Sequence, residues 1–318
     1  MTTYIARRIL MAIFVLFIVS VVIFLAMRLL PGDPIKLKLA QSQIVSLNAE
    51  QLAAARHQYG LDRPLVMQYF NWIGGVAKGS FGISIMSQGP VGPEMWRRLP
   101  VTLHVGLLAF ILGTLIGAPA GILCAVRRGT WIDGLVTGLA NIGITLPTFW
   151  LGVMLVYVFA LHFHWLPTQG YTSPFTDFWL STRQLIMPVF CLALFPLAAT
   201  TRQTRASMLD VLGLDYVRTA RSKGLREKAV IAKHALKNAL IPVVTLSGMG
   251  LTMVVGGSVV IEMVFNIPGI GRMLVTGITN QDYPVVQSVV LVIAAIVVLV
   301  NLIIDLSYGW LDPRIRYS

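Results

Sequence analysis

The sequence contains 318 residues, of which 56% are hydrophobic and 12% are charged, and its formal net charge is +12. Soluble domains carry about 25% charged residues, so this composition excludes an ordinary water-soluble protein. The basic residues punctuate apolar runs and do not cluster beside stacking aromatics, which excludes nucleic acid as a partner.

Six segments lack Asp, Glu, Lys and Arg over a length that crosses the hydrocarbon core of a membrane, which takes about 20 helical residues. Each is predicted to be helical, because no water satisfies the backbone inside lipid. The six are Ile9 to Met27, Val101 to Val126, Gly134 to about Leu161, Gln184 to Thr201, Asn238 to Ile261 and Tyr283 to about Ile304. The predicted fold class is therefore an all-α integral membrane protein with six transmembrane helices.

The first span follows Arg7 and Arg8, a pattern that a cleaved signal peptide shares. Its apolar run is longer than the ~7–15 residues of a signal h-region, and it has no A-x-A cleavage site. The segment Pro31-Gly32-Asp33-Pro34 stops the helix instead. Residues 1–30 are predicted to be an uncleaved transmembrane anchor.

Residues 31–100 form a long insertion of mixed composition before the second span. Gly and Pro residues punctuate its second half. The part from Gln41 to Tyr59 has helical periodicity at Leu47, Leu52, Ala55 and Tyr59. We interpret the insertion as an extracytoplasmic segment that covers the translocation path.

Lys and Arg predict which loops are cytoplasmic, since short basic loops stay inside. Basic residues occur at Arg7-Arg8, at Arg127-Arg128 and nine times between Arg202 and Lys237, whereas the alternate short loops are poor in them. The predicted topology is N-in/C-in. Five spans form a core at 101–311 that contains a cytoplasmic loop at 202–238, and a cytoplasmic tail follows at 312–318.

The basic loop contains two helical patterns separated by Gly224. Asp215 is a good N-cap, Arg221 and Lys223 suit the last turn, and Gly224 suits the C′ position. The second pattern, Leu225 to Leu240, runs into the fifth span and places its apolar residues near one face: Val230, Ala232, Ala235, Leu236, Ala239 and Leu240. Charge alone also fits a basic helix lying on anionic membrane lipid.

The sequence of this loop resembles that of a known family. Arg218-Thr219-Ala220, three residues and then Gly224 resembles the EAA loop of bacterial binding-protein-dependent permeases. Ala220, Gly224 and Leu236 match that motif. Arg218, Thr219, His234 and Lys237 depart from it, and the expected proline appears only at Pro242. These departures resemble the dipeptide, oligopeptide, nickel and glutathione branch.

Further matches to this branch extend along the whole chain. They are Pro31-Gly32-Asp33-Pro34, Gly60-Leu61-Asp62-Arg63-Pro64-Leu65, Phe81-Gly82-Ile83-Ser84, Pro268-Gly269-Ile270-Gly271-Arg272, Asp282-Tyr283-Pro284-Val285-Val286-Gln287 and Asp312-Pro313-Arg314-Ile315-Arg316. The chain therefore resembles the first, B-type, permease subunit of a dipeptide or oligopeptide ABC importer.

The resemblance implies a MetI-like permease fold in the bacterial inner membrane and transport of short peptides by alternating access. Implied partners are a second homologous permease, two ATPase subunits that bind ATP and Mg, and an extracytoplasmic binding protein; this chain itself needs no cofactor. The residues implied to dock the ATPase are Asp215, Tyr216, Arg218, Thr219, Ala220, Arg221, Lys223 and Gly224. Nickel chelates, glutathione and opine-like compounds are alternative substrates.

Glycine and proline residues occur within the predicted spans. Gly113, Gly117 and Gly121 follow Gly106 in the second span at a spacing that lets helices approach closely, either within the chain or against a sister permease. Kinks are expected at Pro119, Pro147, Pro188 and Pro196.

Other chemistry finds little support. Cys124 and Cys191 lie in apolar stretches that favour core packing, and His162 and His164 lie in an aromatic interface belt with no third metal ligand nearby. The sequence has no GxxxxGK[ST] motif and no catalytic cluster, which disfavours an enzyme. Because no charge lies securely at the midplane of a span, an ion-coupled carrier is the weaker alternative.

Overall fold

The computed structural model describes residues 2–29, 32–41 and 49–311. Within these ranges the chain is mostly helical, and its only strand-like contact is an isolated bridge between Ile83 and Pro90. The helices are α1 (Thr2–Leu29), α2 (Pro34–Gln41), α3 (Ala49–Gln58), α4 (Leu65–Ala77), α5 (Val91–Val126), α6 (Trp131–Thr145), α7 (Thr148–Leu155), α8 (Phe178–Leu212), α9 (Asp215–Ser222), α10 (Glu227–Ala229), α11 (Leu236–Val264), α12 (Ile270–Thr279) and α13 (Tyr283–Leu311). π-Helical segments follow α7 at Val156–His162 and α10 at Val230–Ala235. The predicted tail at 312–318 with its Asp312–Arg316 motif, Leu47 and Pro31 lie outside the described residues.

The prediction of an all-α membrane protein is confirmed. Four predicted spans lie in long apolar helices, namely Ile5–Leu29 of α1, α5, α8 and Tyr283–Asp305 of α13. The predicted fifth span lies in the 29-residue helix α11. With α6 and α7 counted as one bent span and α11 added to the four, the helix count agrees with six crossings.

The third predicted span is broken rather than continuous. α6 and the helical run Thr148–His162 are bent by 101° at their junction. Leu146 there has an extended backbone with ψ of 127°, the conformation favoured for a residue before proline. Pro147 also lacks the N–H that would continue the helix. Pro119, Pro188 and Pro196 instead lie inside the continuous helices α5 and α8.

The first of two compact units comprises Met1–Thr102 and Pro268–Leu299. Buried residues of α5, α12 and α13 form one of its cores, including Met95, Ile270 and Val289. A second core joins the end of α1 to the insertion and α13 through Met27, Ile35, Ile85, Tyr283 and Val286. Leu52, Ala55 and Tyr59 pack against this second core, as their periodicity predicted.

A buried carboxylate fixes one loop of the insertion. Asp282 accepts hydrogen bonds from the Ser84 hydroxyl at 2.5 Å, the Ile85 N–H at 3.1 Å and the Met86 N–H at 3.3 Å. Residues 84–86 are thereby tied to the start of α13. The sequence boundaries at 30/31 and 100/101 remain predictions, while the contacts group the insertion with residues 268–299.

The second unit comprises Leu103–Ile267 and Val300–Ser318, and in it α5 lies directly against α8. A Cβ atom added to Gly113, Gly117 or Gly121 would lie 2.7, 2.5 and 2.5 Å from the carbonyl oxygens of Ala193, Leu197 and Thr201. The Thr201 hydroxyl bonds the Gly117 carbonyl oxygen at 3.2 Å. The glycine stripe therefore packs inside the chain, and the alternative of a sister-permease contact for these three glycines is wrong.

The cysteines are buried, as the sequence predicted, and the aromatic interface belt stays a prediction. Cys124 and Cys191 are buried free thiols. Phe163 and Trp165 stack with their ring centroids 4.7 Å apart, just after the π-helical segment that ends at His162.

Candidate docking site

The first part of the predicted cytoplasmic loop, which starts at residue 202, is helical. α8 continues past Thr201 to Leu212, so Arg202 and Arg205 lie on a helix. The eleven residues from 202 to 212 contain no Gly or Pro, and most of them are good helix formers. Gly213 then ends α8, with its N–H bonded to the Asp210 carbonyl oxygen at 3.2 Å.

The start of α9 differs from the prediction by one residue. Leu214, with an extended backbone, occupies the cap position, and its side chain makes no cap hydrogen bond. Its carbonyl oxygen accepts the first helical bonds, from Val217 N–H at 3.0 Å and Arg218 N–H at 3.2 Å. The prediction that Asp215 is the N-cap is therefore wrong. Asp215 is the first helical residue, where its charge still favours the helix dipole.

Gly224 ends α9 as predicted. Its φ is +73°, and its N–H bonds the Arg221 carbonyl oxygen at 2.9 Å. This left-handed conformation costs most residues ~1–2 kcal/mol but costs glycine little. No atom lies within 4 Å of the position that a Cβ would occupy, so the turn requires glycine for its backbone conformation.

The helical run after the turn contains a π-helical segment that the sequence did not predict. Val230 and Ala235 are both buried, five residues apart, a spacing that suits the wider turn of a π-helix. Ala232, predicted on the buried face, is exposed because this wider turn rotates it outward. The run continues without interruption into α11, as predicted.

We call residues 213–235 the elbow. Its inner face is apolar: Val217, Ala220 and Val230 are buried, and Val211 and Leu212 pack against them. A neighbouring cluster of Ala125, Met208, Ala235 and Ala239 joins the start of α11 to the ends of α5 and α8. The elbow is thus packed onto the helices of its own unit.

Two polar contacts hold α9 against the segment that follows it. The Tyr216 hydroxyl donates to the His234 carbonyl oxygen at 3.2 Å and accepts from Asn238 Nδ2 at 2.8 Å. Arg221 binds both carboxylate oxygens of Glu227, at 2.7 and 3.1 Å. The Arg221 guanidinium lowers the pKa of Glu227, so the pair is ionised throughout the neutral range.

The outer face of α9 presents polar side chains to solvent. Asp215, Arg218, Thr219 and Lys223 are exposed, and Arg218 most clearly so at 71% of its side chain. Tyr216 and Arg221 are also exposed, but their side chains bond to the segment that follows Gly224. Ala220, at 6% exposure, faces inward. The structure therefore brings the eight predicted docking residues together on one short helix and its turn, with Ala220 in a packing position.

An ion pair that the sequence did not predict joins α6 to α8 next to the elbow. Arg205 Nε and Nη2 lie 2.7 and 2.8 Å from the two carboxylate oxygens of Asp133, whose side chain is 8% exposed. The Gly129 N–H also donates to Asp133 at 3.1 Å. The pair joins the start of α6 to α8 close to Met208 in the cluster beneath the elbow. An isolated acid after Arg127-Arg128 was the only signal in the sequence.

Comparison with known families matches nearly the whole chain. Residues 117–317 match the family model described as binding-protein-dependent transport system inner membrane component. Residues 1–106 match the model described as the N-terminal part of a binding-protein-dependent transport system membrane component.

Individual proteins and structures agree with these matches. The chain is 41% identical over 320 residues to the oligopeptide transport system permease protein AppB of Bacillus subtilis (strain 168), with 100% of both chains covered. It is 41% identical over 321 residues to the glutathione transport system permease protein GsiC of Escherichia coli (strain K12), again with full coverage of both.

Two solved structures share the fold. An inward-facing structure of the MetNI methionine ABC transporter matches with a TM-score of 0.56 and 20% identity, covering 69% of this chain and 98% of that chain. An amino acid ABC transporter with histidines matches with a TM-score of 0.54 and 14% identity, covering 75% and 98%. The matched families and the apolar helices together identify a multi-pass permease of the inner membrane: the chain belongs to the family of inner membrane components of binding-protein-dependent transport systems.

Proposed function

We propose that this chain is one of two homologous permeases in an ATP-driven importer of short peptides. As a member of its family it associates with ATPase and substrate-binding partners; the composition of one sister permease, two ATPase subunits and one extracytoplasmic binding protein is our proposal. ATP and Mg would be bound by the ATPase subunits, and this chain would contribute no cofactor site. Full-length identity of 41% to an oligopeptide permease supports the peptide substrate.

The observation that carries the proposal is the elbow. Its exposed polar helix α9 is packed by an apolar inner face onto helices that continue into the membrane-spanning region. A force applied to α9 would therefore reach α11 without an intervening flexible linker. This is the mechanical property that coupling of ATPase closure to alternating access requires.

Within the elbow the residues have different proposed roles. Asp215, Arg218, Thr219 and Lys223 would contact the ATPase. Tyr216 and Arg221 would orient α9 through their bonds to Asn238 and Glu227. Ala220 would provide packing, and Gly224 the turn.

Uptake by the complete transporter in proteoliposomes tests this function. The expected result is ATP-dependent accumulation of a labelled short peptide with all ion gradients collapsed. The same vesicles should be offered labelled glutathione, since a glutathione permease is equally similar in sequence; nickel chelates and opine-like compounds complete the panel. Peptide uptake that persists after ATP depletion would contradict the proposal and favour an ion-coupled carrier.

A further inference from the structure

A cavity in the first unit unites three sequence motifs that the docking site does not use. Its volume is about 710 Å³, and its lining includes Gly60, Leu61, Gly82, Ile83, Tyr283 and Gln287. Arg28, at the end of α1, and Trp72, in α4, also line it. We call it the Arg28 cavity. Small-molecule sites in proteins have volumes of about 300–1,000 Å³, so the cavity is large enough for a metabolite.

Three buried nitrogen donors without acceptors belong to residues that line this cavity. Among the described residues, Arg28 Nη1, Trp72 Nε1 and Gln287 Nε2 are buried and have no hydrogen-bond partner, and all three residues line the cavity. Gln287 is only 2% exposed, so bulk water does not satisfy its amide. Buried polar groups are almost always paired. The shared property of the three is that each needs an acceptor.

The positive charge of Arg28 has no carboxylate partner within the described part of the chain. Its Nε donates to Gln68 Oε1 at 3.1 Å, and its guanidinium carbon lies 4.6 and 4.5 Å from the ring centroids of Phe24 and Tyr283. The nearby acids are already engaged. Asp33 is paired with Arg56, and Asp62 lies 2.6 Å from His57.

Neighbouring contacts hold two of the three donor residues before any ligand binds. Gln68 is fixed by bonds from its amide nitrogen to the carbonyl oxygens of Leu61 at 3.2 Å and Arg63 at 2.7 Å. The Trp72 ring stacks on Phe24 with centroids 6.3 Å apart. Arg28, through Gln68, and Trp72 are therefore held by neighbouring side chains.

We infer that the Arg28 cavity binds a small ligand through a carboxylate group, with Arg28, Trp72 and Gln287 as hydrogen-bond donors. A carboxylate is an acceptor-only anion that a guanidinium fork recognises, and its remaining lone pairs suit neutral N–H donors. Its source under the proposed function is the C-terminal carboxylate of a short peptide. That assignment rests on the proposed function, whereas the carboxylate site does not.

Binding to the purified complete transporter in nanodiscs, without ATP or binding protein, tests the inference by calorimetry. Trialanine should bind, and trialanine amide, which lacks the carboxylate, should bind at least about tenfold more weakly, the loss expected for a charge-assisted hydrogen bond. Competition by acetate at millimolar concentration would support the carboxylate site but assign it to small acids instead of peptides. Equal binding of the two peptides, or no binding of trialanine or acetate, would overturn the inference and leave ordered water as the acceptor.

Matched tryptophan variants separate the proposed donor from general packing. Trp72→Phe removes the N–H and keeps a stacking ring, so trialanine affinity should fall about tenfold. Trp96→Phe changes an exposed tryptophan of the same unit that does not line the cavity, and it should bind like the parent. Unchanged affinity in Trp72→Phe would contradict the role of Trp72, and the peptide–amide comparison on the unaltered protein decides the inference if a variant does not fold. Since no transport is measured, failure of ATP-driven uptake would not affect this result.

Discussion

Arg218 is the residue whose role on the docking surface is most directly testable. Its side chain is 71% exposed, and its ion pair with Asp215, which is 96% exposed, is long at 3.5 Å. Such a pair contributes little to stability. A change at Arg218 should therefore alter contact with the ATPase and leave the fold intact.

We expect Arg218→Glu to reduce ATP-driven uptake by about tenfold or more, the effect of losing ~1.4 kcal/mol of contact energy. The amount of protein in the membrane should not change. Lys228→Glu is the matched control, because Lys228 is an exposed cation of the same elbow that lies outside α9. Uptake assays with immunoblotting would measure both, and normal uptake by Arg218→Glu would argue against docking through this face.

The Asp133–Arg205 ion pair leads to a prediction about stability instead of uptake. Asp133 is buried but the Arg205 side chain is 31% exposed. Removing one partner should therefore cost less than the ~3–5 kcal/mol of a fully buried pair, and removing both should be milder still. Asp133→Asn should lower the melting temperature of the detergent-purified protein, and Asp133→Asn combined with Arg205→Gln should recover part of the loss. Strictly additive losses would show that the two side chains do not act as a pair.

Residue-scale sequence reasoning succeeded where the signal is local. Gly224 was predicted correctly because the need for a left-handed residue at a helix end depends on its immediate neighbours. The N-cap of α9 was predicted one residue too late, at Asp215, because the side chain of Leu214 carries no cap signal. The Asp133–Arg205 pair joins residues 72 positions apart, and no pattern in the sequence relates them.

At the scale of helices, the glycine stripe of α5 sets how closely it approaches α8. The spacing of Gly113, Gly117 and Gly121 predicted a close contact but not the partner helix, because small residues suit any apolar neighbour. The broken third span shows the same limit. Apolar composition predicts that a segment is buried in lipid, but the direction of the chain at Pro147 depends on tertiary packing.

Gly117→Leu should separate α5 from α8. Its Cβ would lie 2.5 Å from the Leu197 carbonyl oxygen, a backbone atom that cannot move away cheaply. Overpacking typically costs ~1–3 kcal/mol, so the purified variant should melt at a lower temperature. Gly138→Leu is the control, because no atom lies within 4 Å of its Cβ position in α6. Equal melting temperatures for the two variants would contradict the packing described for α5.

At the scale of the molecule, the fold was predictable because lipid leaves an apolar chain few choices beyond helices. The grouping of the insertion with residues 268–299 was not. It depends on contacts such as that between Ser84 and Asp282, 198 residues apart, which hydrophobic periodicity does not encode. The Arg28 cavity was hidden for the same reason: its donors come from α1, α4 and α13.

The orientation in the membrane remains a prediction from the distribution of Lys and Arg, and two positions test it. Gln169 lies in the segment between the π-helical run ending at His162 and α8, and Lys228 lies in the elbow beyond α8. α8 is long and apolar enough to cross the membrane once, so the two positions must lie on opposite sides. The basic elbow should be inside.

An alkaline phosphatase fusion at Gln169 should therefore be active, and one at Lys228 inactive, because the enzyme folds only outside the cytoplasm. A fluorescent-protein fusion that matures only in the cytoplasm should give the opposite pattern at the same two positions. Activity of the phosphatase at Lys228 would invert the topology and place the elbow out of reach of any cytoplasmic ATPase. The orientation test thus decides whether the docking role of α9 is physically possible, independently of any measurement of transport.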